Sequence, residues 1–296
     1  MIIMSDVRIS VIIPHLNQPQ MLARCLGSLR NGTRQPDEII VVDNGSDVLP
    51  DVPDTVTLLR QDTPGPGPAR NMGVAAASGD VLAFIDADCL AQFDWLEAAA
   101  KAILTGDILG GDVRIAYVNP AKLTVLEAYE SIYAYQMQRY IAQEGFTGTG
   151  NLVVKATVLD TVGPFAGVDK AEDRDWGQRA TGMGLEIIYV PQMRVYHPAR
   201  RSFADLYLKW DRQLAHDYGL ITDGAGKLRW AVKTLAMGVS PLAEIPRIVR
   251  SDRVRSIADK TKAFVGLCRI RAYRTGRMVD LMLRGHPERL AAKWNR

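Results

Sequence analysis

The stretch that decides the fold reads GDVLAFIDADC and spans residues 79–89. Its apolar run, Val81 to Ile85, is typical of a strand that is buried on both faces. Asp86 and Asp88 follow at once, and side chains two residues apart in an extended chain point to the same side. Neighbouring carboxylates repel each other unless a cation lies between them, so the stretch predicts a core strand that ends in a metal site. An equally open alternative is that Asp88 caps the next helix or that both acids line a solvated loop.

Three further apolar runs precede this strand and predict more of the sheet. They read ISVIIP (9–14), EIIVVD (38–43) and TVTLLR (55–60), and helical periodicity accompanies them at 21–29 and 68–78. Such alternation predicts an α/β fold with a mostly parallel sheet sandwiched by helices. Ligands of these sheets bind beyond the carboxyl ends of the strands, so we expect the polar residues that follow the strands to meet at one edge.

Polar residues do follow the first two strands. His15, interpreted as a loop residue near the cleft, and Asn17 come after the first strand. Asp43 closes the second, although a turn-forming role within Asp-Asn-Gly-Ser also explains it. The stretch TPGPGPARNMG (63–73) leads into a helix that carries Arg70 in its first turn. Helix N-terminal N–H groups and an arginine suit an anion, so the predicted edge combines a metal site with a phosphate site.

The rest of the chain predicts a mixed middle and a helical end. Beyond about residue 225 the apolar spacing is helical throughout. Before that point we predict a single long helix over 123–141, a glycine-containing loop that runs into a strand over 146–154, a helix over 171–184 and a strand over 185–191.

Charge is distributed unevenly along the chain. The net charge is +3, but from Lys227 onward 17 Lys and Arg residues stand against 5 Asp and Glu. The predicted domains are an α/β domain, residues 1–225, and a C-terminal helical basic extension, residues 226–296. Basic helices with apolar faces suit an anionic membrane surface. They equally suit a subdomain that packs on the rest of the protein with a solvated basic rim, and both interpretations stay open.

Composition narrows the protein class. Three widely spaced cysteines predict reduced thiols and no disulfide framework. The first residues show no signal-peptide pattern, and no stretch reaches about 18 uninterrupted apolar residues. We therefore expect a cytoplasmic protein, either free or peripheral on the inner face of the cell membrane. We expect no nucleic-acid partner, and the sequence leaves the oligomeric state open.

Six motifs, in a fixed order, resemble a known family. They are PHLN (14–17), VVDNGS (41–46), ARNMGVAAASGDVLAFIDAD (69–88), GTGN (148–151), AEDRDWGQRATGMGLEIIYVP (171–191) and VYHP (195–198). Together they closely resemble the family 2 glycosyltransferases of the Rossmann-like GT-A fold, from about Ile9 to about His197. The resemblance identifies the predicted phosphate and metal cleft as a site for a nucleotide sugar.

The resemblance also implies roles in donor binding. Pro14 and Asn17 match the positions where the nucleotide base and ribose lie. Asp43 matches an aspartate that accepts hydrogen bonds from the base or ribose. Arg70 matches an arginine close to the diphosphate, and Asp80 an acid that reaches the ribose or positions Arg70.

The metal ligands are implied in the same way. Asp86 and Asp88 match the family's metal-binding pair, with Asp88 as the direct ligand of Mg²⁺ or Mn²⁺. His197 matches a histidine that serves as a third ligand. The segment GTGN (148–151) is expected near the donor sugar.

Two acids at the start of the 171–184 helix match the family's acceptor side. In an inverting mechanism a carboxylate takes the proton from the acceptor hydroxyl. The resemblance implies Asp173 as this base, with Glu172 binding or orienting. From the residues alone, Glu172, Asp173 and Asp175 would simply complement the helix dipole.

The predicted function is metal-dependent, inverting transfer of one sugar, with a UDP-sugar favoured, to a saccharide or lipid-linked hydroxyl acceptor. We expect a role in polysaccharide, glycolipid or cell-envelope glycan synthesis. Residues 208–219 lack the QxxRW signature of processive synthases, which favours transfer of a single sugar. One alternative is a sugar-phosphate nucleotidyltransferase, although PHLNQPQ stands where that class carries a glycine-rich phosphate loop. Another is a non-catalytic nucleotide-binding partner at a membrane.

Overall fold

The computed structural model describes residues 7–285. Contacts group these residues into two compact units. Unit 1 comprises the described residues up to Ala116 together with Tyr135–Pro198, and unit 2 comprises Tyr117–Ala134 together with the described residues from Ala199. This grouping rests on contacts and not on function, so the predicted functional division at residue 225 stays a prediction.

Eight strands of unit 1 form one sheet. They are β1 (Ile9–His15), β2 (Glu38–Asp43), β3 (Thr57–Arg60), β4 (Val81–Ile85), β5 (Leu90–Ala91), β6 (Ile108–Ala116), β7 (Asn151–Lys155) and β8 (Ile187–Pro198). Their order across the sheet is β3-β2-β1-β4-β7-β6-β8-β5. Neighbours are parallel from β3 to β4 and between β6 and β8, whereas β7 is antiparallel to both β4 and β6 and β5 is antiparallel to β8. The predicted mostly parallel α/β sheet is therefore confirmed.

Helices flank this sheet in unit 1 and make up unit 2. In chain order they are α1 (Pro19–Arg30), α2 (Pro66–Ala76), α3 (Trp95–Ala102), α4 (Val125–Tyr133), α5 (Met137–Glu144), α6 (Ala156–Val162), α7 (Glu172–Gly182), α8 (Phe203–Gly219), α9 (Gly224–Ala243), α10 (Ile245–Arg250) and α11 (Ile257–Arg284). Unit 2 contains α4 and α8 to α11, so the predicted C-terminal helices are present as far as the structure describes them.

The unbroken apolar run of β1 is buried because both faces of the sheet are covered. Ile9, Val11 and Ile13 belong to one core cluster, which includes residues of α1 and α3. Ile12 points to the other face and joins a second cluster with Trp176 of α7. Alternate side chains of one strand thus enter two cores, which is the reason a period of two is absent from the β1 sequence.

The predicted single helix over 123–141 is wrong, because the chain breaks between α4 and α5. Tyr135 has φ of 50°, in the left-handed region that an L-residue with a bulky side chain rarely adopts. Ala134 is extended and ends α4, with its N–H donating to the carbonyl of Glu130. The break also separates the two units, since Ala134 belongs to unit 2 and Tyr135 to unit 1.

Unit 2 is built around the long helix α11. Its residue Leu267 packs in one cluster with Leu126 of α4 and Leu206 of α8. Against α8, the rings of Tyr273 and Tyr207 stack with centroids 3.8 Å apart. No helix within residues 7–285 is both long enough and apolar enough to cross a membrane.

Candidate functional site

Three neighbouring strands deliver polar residues to one edge of the sheet, as the sequence predicts. β1 lies between β2 and β4 and runs parallel to both. It ends at His15, β2 ends at Asp43, and β4 ends one residue before Asp86. The register pairs His15 with Asp43, so these two side chains start from adjacent backbone positions.

His15 and Asp43 form a buried pair at this edge, with side chains that are both 0% exposed. Nδ1 of His15 lies 2.9 Å from Oδ1 of Asp43, and Nε2 accepts a hydrogen bond from the backbone N–H of Gln18 at 3.1 Å. Since Nε2 accepts, the proton is assigned to Nδ1, which donates to Asp43. His15 is therefore a buried part of the edge and not the loop residue that we expected.

Ser46 completes this network around the Asp43 carboxylate. Its backbone N–H donates to Oδ2 of Asp43 at 3.0 Å. Burial disfavours the charged carboxylate, but hydrogen bonds from Ser46 and His15 outweigh that effect and hold the pKa of Asp43 below its usual value. Because the Asp43 side chain has no exposed surface, the predicted contact with a nucleotide would require this loop to move.

Asn17 lies exposed at the mouth of the same edge, next to half-buried Pro14. Its φ of 52° is in the left-handed region, which asparagine tolerates better than most residues. Its N–H donates to Oγ of Ser46 at 2.8 Å, and its Oδ1 accepts from the N–H of Asp47 at 3.0 Å. The first bond fixes the backbone of Asn17, and the second orients its side chain, which stays exposed.

Arg70 joins the end of β4 to the beginning of α7. α2 begins with Pro66, and its arginine lies one turn further on, 3% exposed. Nη2 donates to Oδ1 of Asp86 at 2.7 Å, and Nη1 donates to Oε1 of Glu172 at 2.9 Å. Nε of Arg70 is buried without a hydrogen-bond partner among the described residues. One guanidinium thus holds two of the predicted site carboxylates in a single cleft.

Asp88 and His197 come together beside this cleft. Oδ2 of Asp88 lies 3.4 Å from Nε2 of His197, and Oδ1 of Asp88 is buried without a partner in the described chain. Nδ1 of His197 lies 2.7 Å from the carbonyl oxygen of Pro198, which can only accept, so Nδ1 carries the proton. In the neutral ring, the Nε2 lone pair therefore faces a carboxylate oxygen, an arrangement that suits a shared cation.

Tyr135 supports His197 and was not predicted as a site residue. Its hydroxyl lies 3.1 Å from Nδ1 of His197, and the two rings have centroids 4.9 Å apart. The left-handed backbone of Tyr135 aims this side chain, and nothing in the periodic apolar pattern around it signals that conformation.

Cys89 lies beside the aspartate pair, but its chemistry does not fit a hard cation. One possible ligand atom each from Asp86, Asp88 and Cys89 lies within 4.8 Å of the others. Burial, and then the nearby carboxylates, raise the pKa of the Cys89 thiol well above its ordinary value. The thiol stays protonated at neutral pH, which leaves the carboxylate oxygens as donors for Mg²⁺ or Mn²⁺.

Asp173 follows Glu172 in the first turn of α7. Its Oδ1 accepts from the backbone N–H of Arg174 at 2.7 Å. Burial raises the pKa of Asp173, and the charges of Glu172 and Asp86 add to that rise, while Arg70 opposes it. Its proton affinity is therefore higher than that of an ordinary aspartate.

Asp175, in the same turn, has a different environment. Its carboxylate oxygens lie 3.1 Å from Nζ of Lys170 and 2.9 Å from Nε of Arg179. The hydrogen bond from Arg179 lowers the pKa of Asp175 most, and the hydrogen bond from Lys170 lowers it further. Partial burial opposes this change but is outweighed. Asp175 thus stabilises α7 through ion pairs.

The GTGN segment approaches the aspartate pair through Gly150. A Cβ built on Gly150 would lie 2.4 Å from Oδ2 of Asp86, so only glycine fits here without displacing that carboxylate. Asn151 is fully buried, and its amide nitrogen donates to the carbonyls of Asp112 and Met193 at 2.9 and 2.8 Å. Asn151 therefore joins β6 and β8 and does not face the cleft.

Asp80 is not brought to this site. It precedes β4 and is exposed, whereas Asp86 follows the same strand. Six residues of extended chain separate the two, a distance of roughly 20 Å. The expected approach of Asp80 to the ribose or to Arg70 is not compatible with this placement, because the two acids flank opposite ends of one strand.

Comparisons with known proteins agree with this geometry. The family model for glycosyl transferase family 2 matches residues 10–174. Glycosyltransferase AglE of Haloferax volcanii is 34% identical over 215 residues, which cover 68% of this chain and 70% of that protein. The pre-mycofactocin glycosyltransferase of Mycobacterium tuberculosis is 25% identical over 281 residues, covering 83% of this chain but only 56% of that protein. These matches favour a glycosyltransferase over a nucleotidyltransferase.

Solved structures show the same fold. A mannosyltransferase from Pyrobaculum calidifontis, in complex with GDP-Man and Mn²⁺, superposes with a TM-score of 0.51 at 16% identity and covers 94% of this chain and 88% of that one. A fragment of S. aureus TarS in complex with UDP-GlcNAc also has a TM-score of 0.51, at 15% identity, over 94% of this chain and 92% of that one. The chain has the GT-A fold and belongs to glycosyl transferase family 2.

Proposed function

We propose that this glycosyltransferase moves one sugar from a nucleoside-diphosphate sugar to a hydroxyl acceptor, with inversion at the anomeric carbon and with Mg²⁺ or Mn²⁺ bound. The observation that carries the proposal is the pair of ion pairs made by Arg70. This buried side chain holds Asp86, which ends β4, and Glu172, which begins α7. Donor-side and acceptor-side acids therefore share one cleft.

The residues of the cleft fit a divalent cation. Arg70 pairs with Asp86 and Glu172, and its charge also reaches Asp173. Asp88 lies beside Asp86, so the four carboxylates of the cleft outnumber its one guanidinium. Oδ1 of Asp88 is buried without a partner in the described chain, and the Nε2 atom of His197 faces the same carboxylate. Asp88, Asp86 and His197 would hold the ion, which supplies positive charge for the departing diphosphate.

Asp173 is the proposed general base. The acceptor oxygen bonds to the anomeric carbon while the bond from that carbon to the diphosphate oxygen breaks, and the hydroxyl proton passes to the Asp173 carboxylate. The raised pKa of Asp173 suits proton abstraction, because a more basic carboxylate accepts a proton more readily. Glu172 is held by Arg70 at 2.9 Å and orients the start of α7.

We assign donor binding to the residues at the ends of β1 and β2, on the same edge of the sheet. Asn17 is exposed there, beside Pro14, so both are accessible to a nucleotide. Arg70 is proposed to act on the diphosphate through its hold on Asp86, and the buried pair of His15 and Asp43 joins the ends of β1 and β2. A UDP-sugar is the first donor to test, and saccharide or lipid-linked acceptors of polysaccharide, glycolipid or cell-envelope synthesis are the first acceptors.

Thermal unfolding with UDP, GDP, dTDP and CMP, each with and without Mn²⁺, tests the proposal. We expect one nucleoside diphosphate to raise the Tm, and to do so much more strongly with Mn²⁺. Asp88→Asn should lose the Mn²⁺-dependent part of the shift. Asp173→Asn should keep it but abolish sugar transfer. A protein whose Tm responds to none of the nucleotides with metal would contradict the proposal, and full transfer by Asp173→Asn would move the base elsewhere.

A further inference from the structure

Helix α9 of unit 2 has two apolar faces. One face is buried in the unit and consists of Gly226, Trp230, Thr234, Met237 and Pro241. The other is exposed and consists of Leu228, Val232, Leu235, Val239 and Leu242, which are 68%, 60%, 75%, 68% and 68% exposed. At 100° per residue the two sets lie on nearly opposite sides of the helix. We call the exposed set the α9 stripe.

The α9 stripe is larger than the scattered apolar residues of an ordinary surface. Its five aliphatic side chains follow each other at spacings of four and three, so they form one continuous band about 21 Å long. α10 adds Ile245 and Val249, which are 42% and 60% exposed. A contiguous exposed apolar band of this kind marks a surface that binds a protein or a membrane.

Charge distinguishes between these partners. α9 contains three basic residues and no acidic one. Lys227 and Arg229 flank the stripe, one on each side, and both are exposed. Arg250 is likewise exposed at the end of α10. If two copies met through their stripes, these cations would be brought together and would repel each other, whereas an anionic surface would attract them.

We propose that α9 lies in the surface of an anionic lipid bilayer, with the α9 stripe among the acyl chains and Lys227 and Arg229 at the lipid phosphates. The helix lies along the surface and does not cross it, in line with the lack of a spanning helix within residues 7–285. One face of α9 thus packs within unit 2, and the proposal assigns the opposite face to lipid. This proposal is independent of the transfer chemistry, so it stands or fails separately.

Co-sedimentation of the full chain with vesicles tests the proposal. Vesicles of phosphatidylcholine alone are compared with vesicles that also contain phosphatidylglycerol, at low and at high salt. We expect binding to the anionic vesicles, weakened by salt because the basic residues contribute through electrostatic attraction. If the chain stays in the supernatant with anionic vesicles at low salt, the proposal is wrong.

Matched variants assign the binding to the α9 stripe. Leu235→Ser with Val239→Ser removes two side chains that are 75% and 68% exposed, so the fold should be unaffected. We expect the partition coefficient on anionic vesicles to fall by roughly tenfold or more, as lost apolar contact with lipid requires. Leu104→Ser with Val118→Ser, at positions 41% and 94% exposed, is the control and should bind like the parent chain. If both double variants lose vesicle binding equally, the assignment of this binding to the α9 stripe is wrong.

Light scattering without lipid completes the test. The parent chain and the Leu235→Ser/Val239→Ser variant should have the same mass. If the parent chain is a dimer and the variant is a monomer, a second copy covers this face. That result would overturn the proposal. Lys227→Gln with Arg229→Gln should reduce binding to anionic vesicles. If it leaves that binding unchanged, the assigned role of these cations is wrong.

Discussion

Nε2 of His197 lies 3.4 Å from Oδ2 of Asp88, although the first belongs to β8 and the second follows β4. Nδ1 of His197 donates its proton to the carbonyl oxygen of Pro198. In the neutral ring, Nε2 therefore carries a lone pair, and this atom faces the carboxylate. Two electron-rich atoms at this distance require a proton or a cation between them. The proposed divalent ion would answer that requirement, and it would also give a partner to the buried Oδ1 of Asp88.

Replacing His197 should therefore weaken metal binding. We expect His197→Ala to reduce the affinity for Mn²⁺ by roughly tenfold or more, as measured by titration in the presence of UDP. His216→Ala is the matched control, because His216 is exposed on α8 of unit 2. An unchanged Mn²⁺ affinity in His197→Ala would remove His197 from the proposed ligands.

Arg70 should contribute strongly to stability as well as to the site. Arg70→Ala removes a side chain that is 3% exposed and leaves Asp86 and Glu172 without their shared partner. We expect the free energy of unfolding to fall by about 2 kcal/mol or more, measured by urea denaturation. Arg60→Ala is the control, because its ion pair with Asp62 has side chains 55% and 91% exposed and should contribute less than about 1 kcal/mol. Equal losses in the two variants would contradict the structural role of Arg70.

The strands that frame the cleft were predictable because their sequences carry the signal locally. β1, β2 and β4 are short apolar runs that end in polar residues, and a parallel sheet brings such ends together. β6 was not predicted, since Gly110, Gly111 and Asp112 interrupt its apolar residues. Those glycines are required by tertiary contacts: a Cβ on Gly111 would lie 2.2 Å from the Asn151 side chain.

Two features of the site could not be read from the sequence for the same physical reason. The burial of His15 depends on the register of β1 with β2, which pairs it with Asp43. The break at Tyr135 occurs inside a continuous helical pattern, where the residue has a left-handed φ of 50° and contacts His197, which is 62 residues further along the chain. The conformational preferences of neighbouring residues determine neither the strand register nor contacts between residues that are distant in sequence.

Gly150 should be required for the position of Asp86. Gly150→Ala adds a Cβ that would lie 2.4 Å from Oδ2 of Asp86, so the carboxylate must shift from the position in which it pairs with Arg70, unless the segment itself moves. We expect Mn²⁺-dependent UDP binding and the transfer rate each to fall by roughly tenfold or more, since small misplacements of site groups have large effects. Gly148→Ala is the control, because its Cβ would meet the terminal methyl group of the unbranched Met137 side chain, at 3.1 Å. If Gly150→Ala binds UDP and Mn²⁺ normally, the GTGN segment accommodates the added Cβ, and glycine is not required at this position.

Asp173 and Asp175, two residues apart on α7, should respond to neutralisation with opposite signs. Burial and the charges of Glu172 and Asp86 raise the pKa of Asp173 above 3.8, so its charged form is disfavoured in the folded state. Asp173→Asn should therefore increase the free energy of unfolding at pH 7, and the gain should vanish as the pH falls below 3.8, where the unfolded-state carboxyl is also protonated.

Asp175→Asn is the matched control for this pH dependence. Hydrogen bonds from Arg179 and Lys170 lower the pKa of Asp175 below 3.8, so its charged form stabilises the fold. Neutralising it should decrease the free energy of unfolding above that pH, and the loss should shrink as the pH falls through the folded-state pKa. Urea denaturation of both variants at a series of pH values measures the two signs. A destabilised Asp173→Asn at pH 7 would mean that its carboxylate has a stabilising partner in the folded state, and would count against its role as the base.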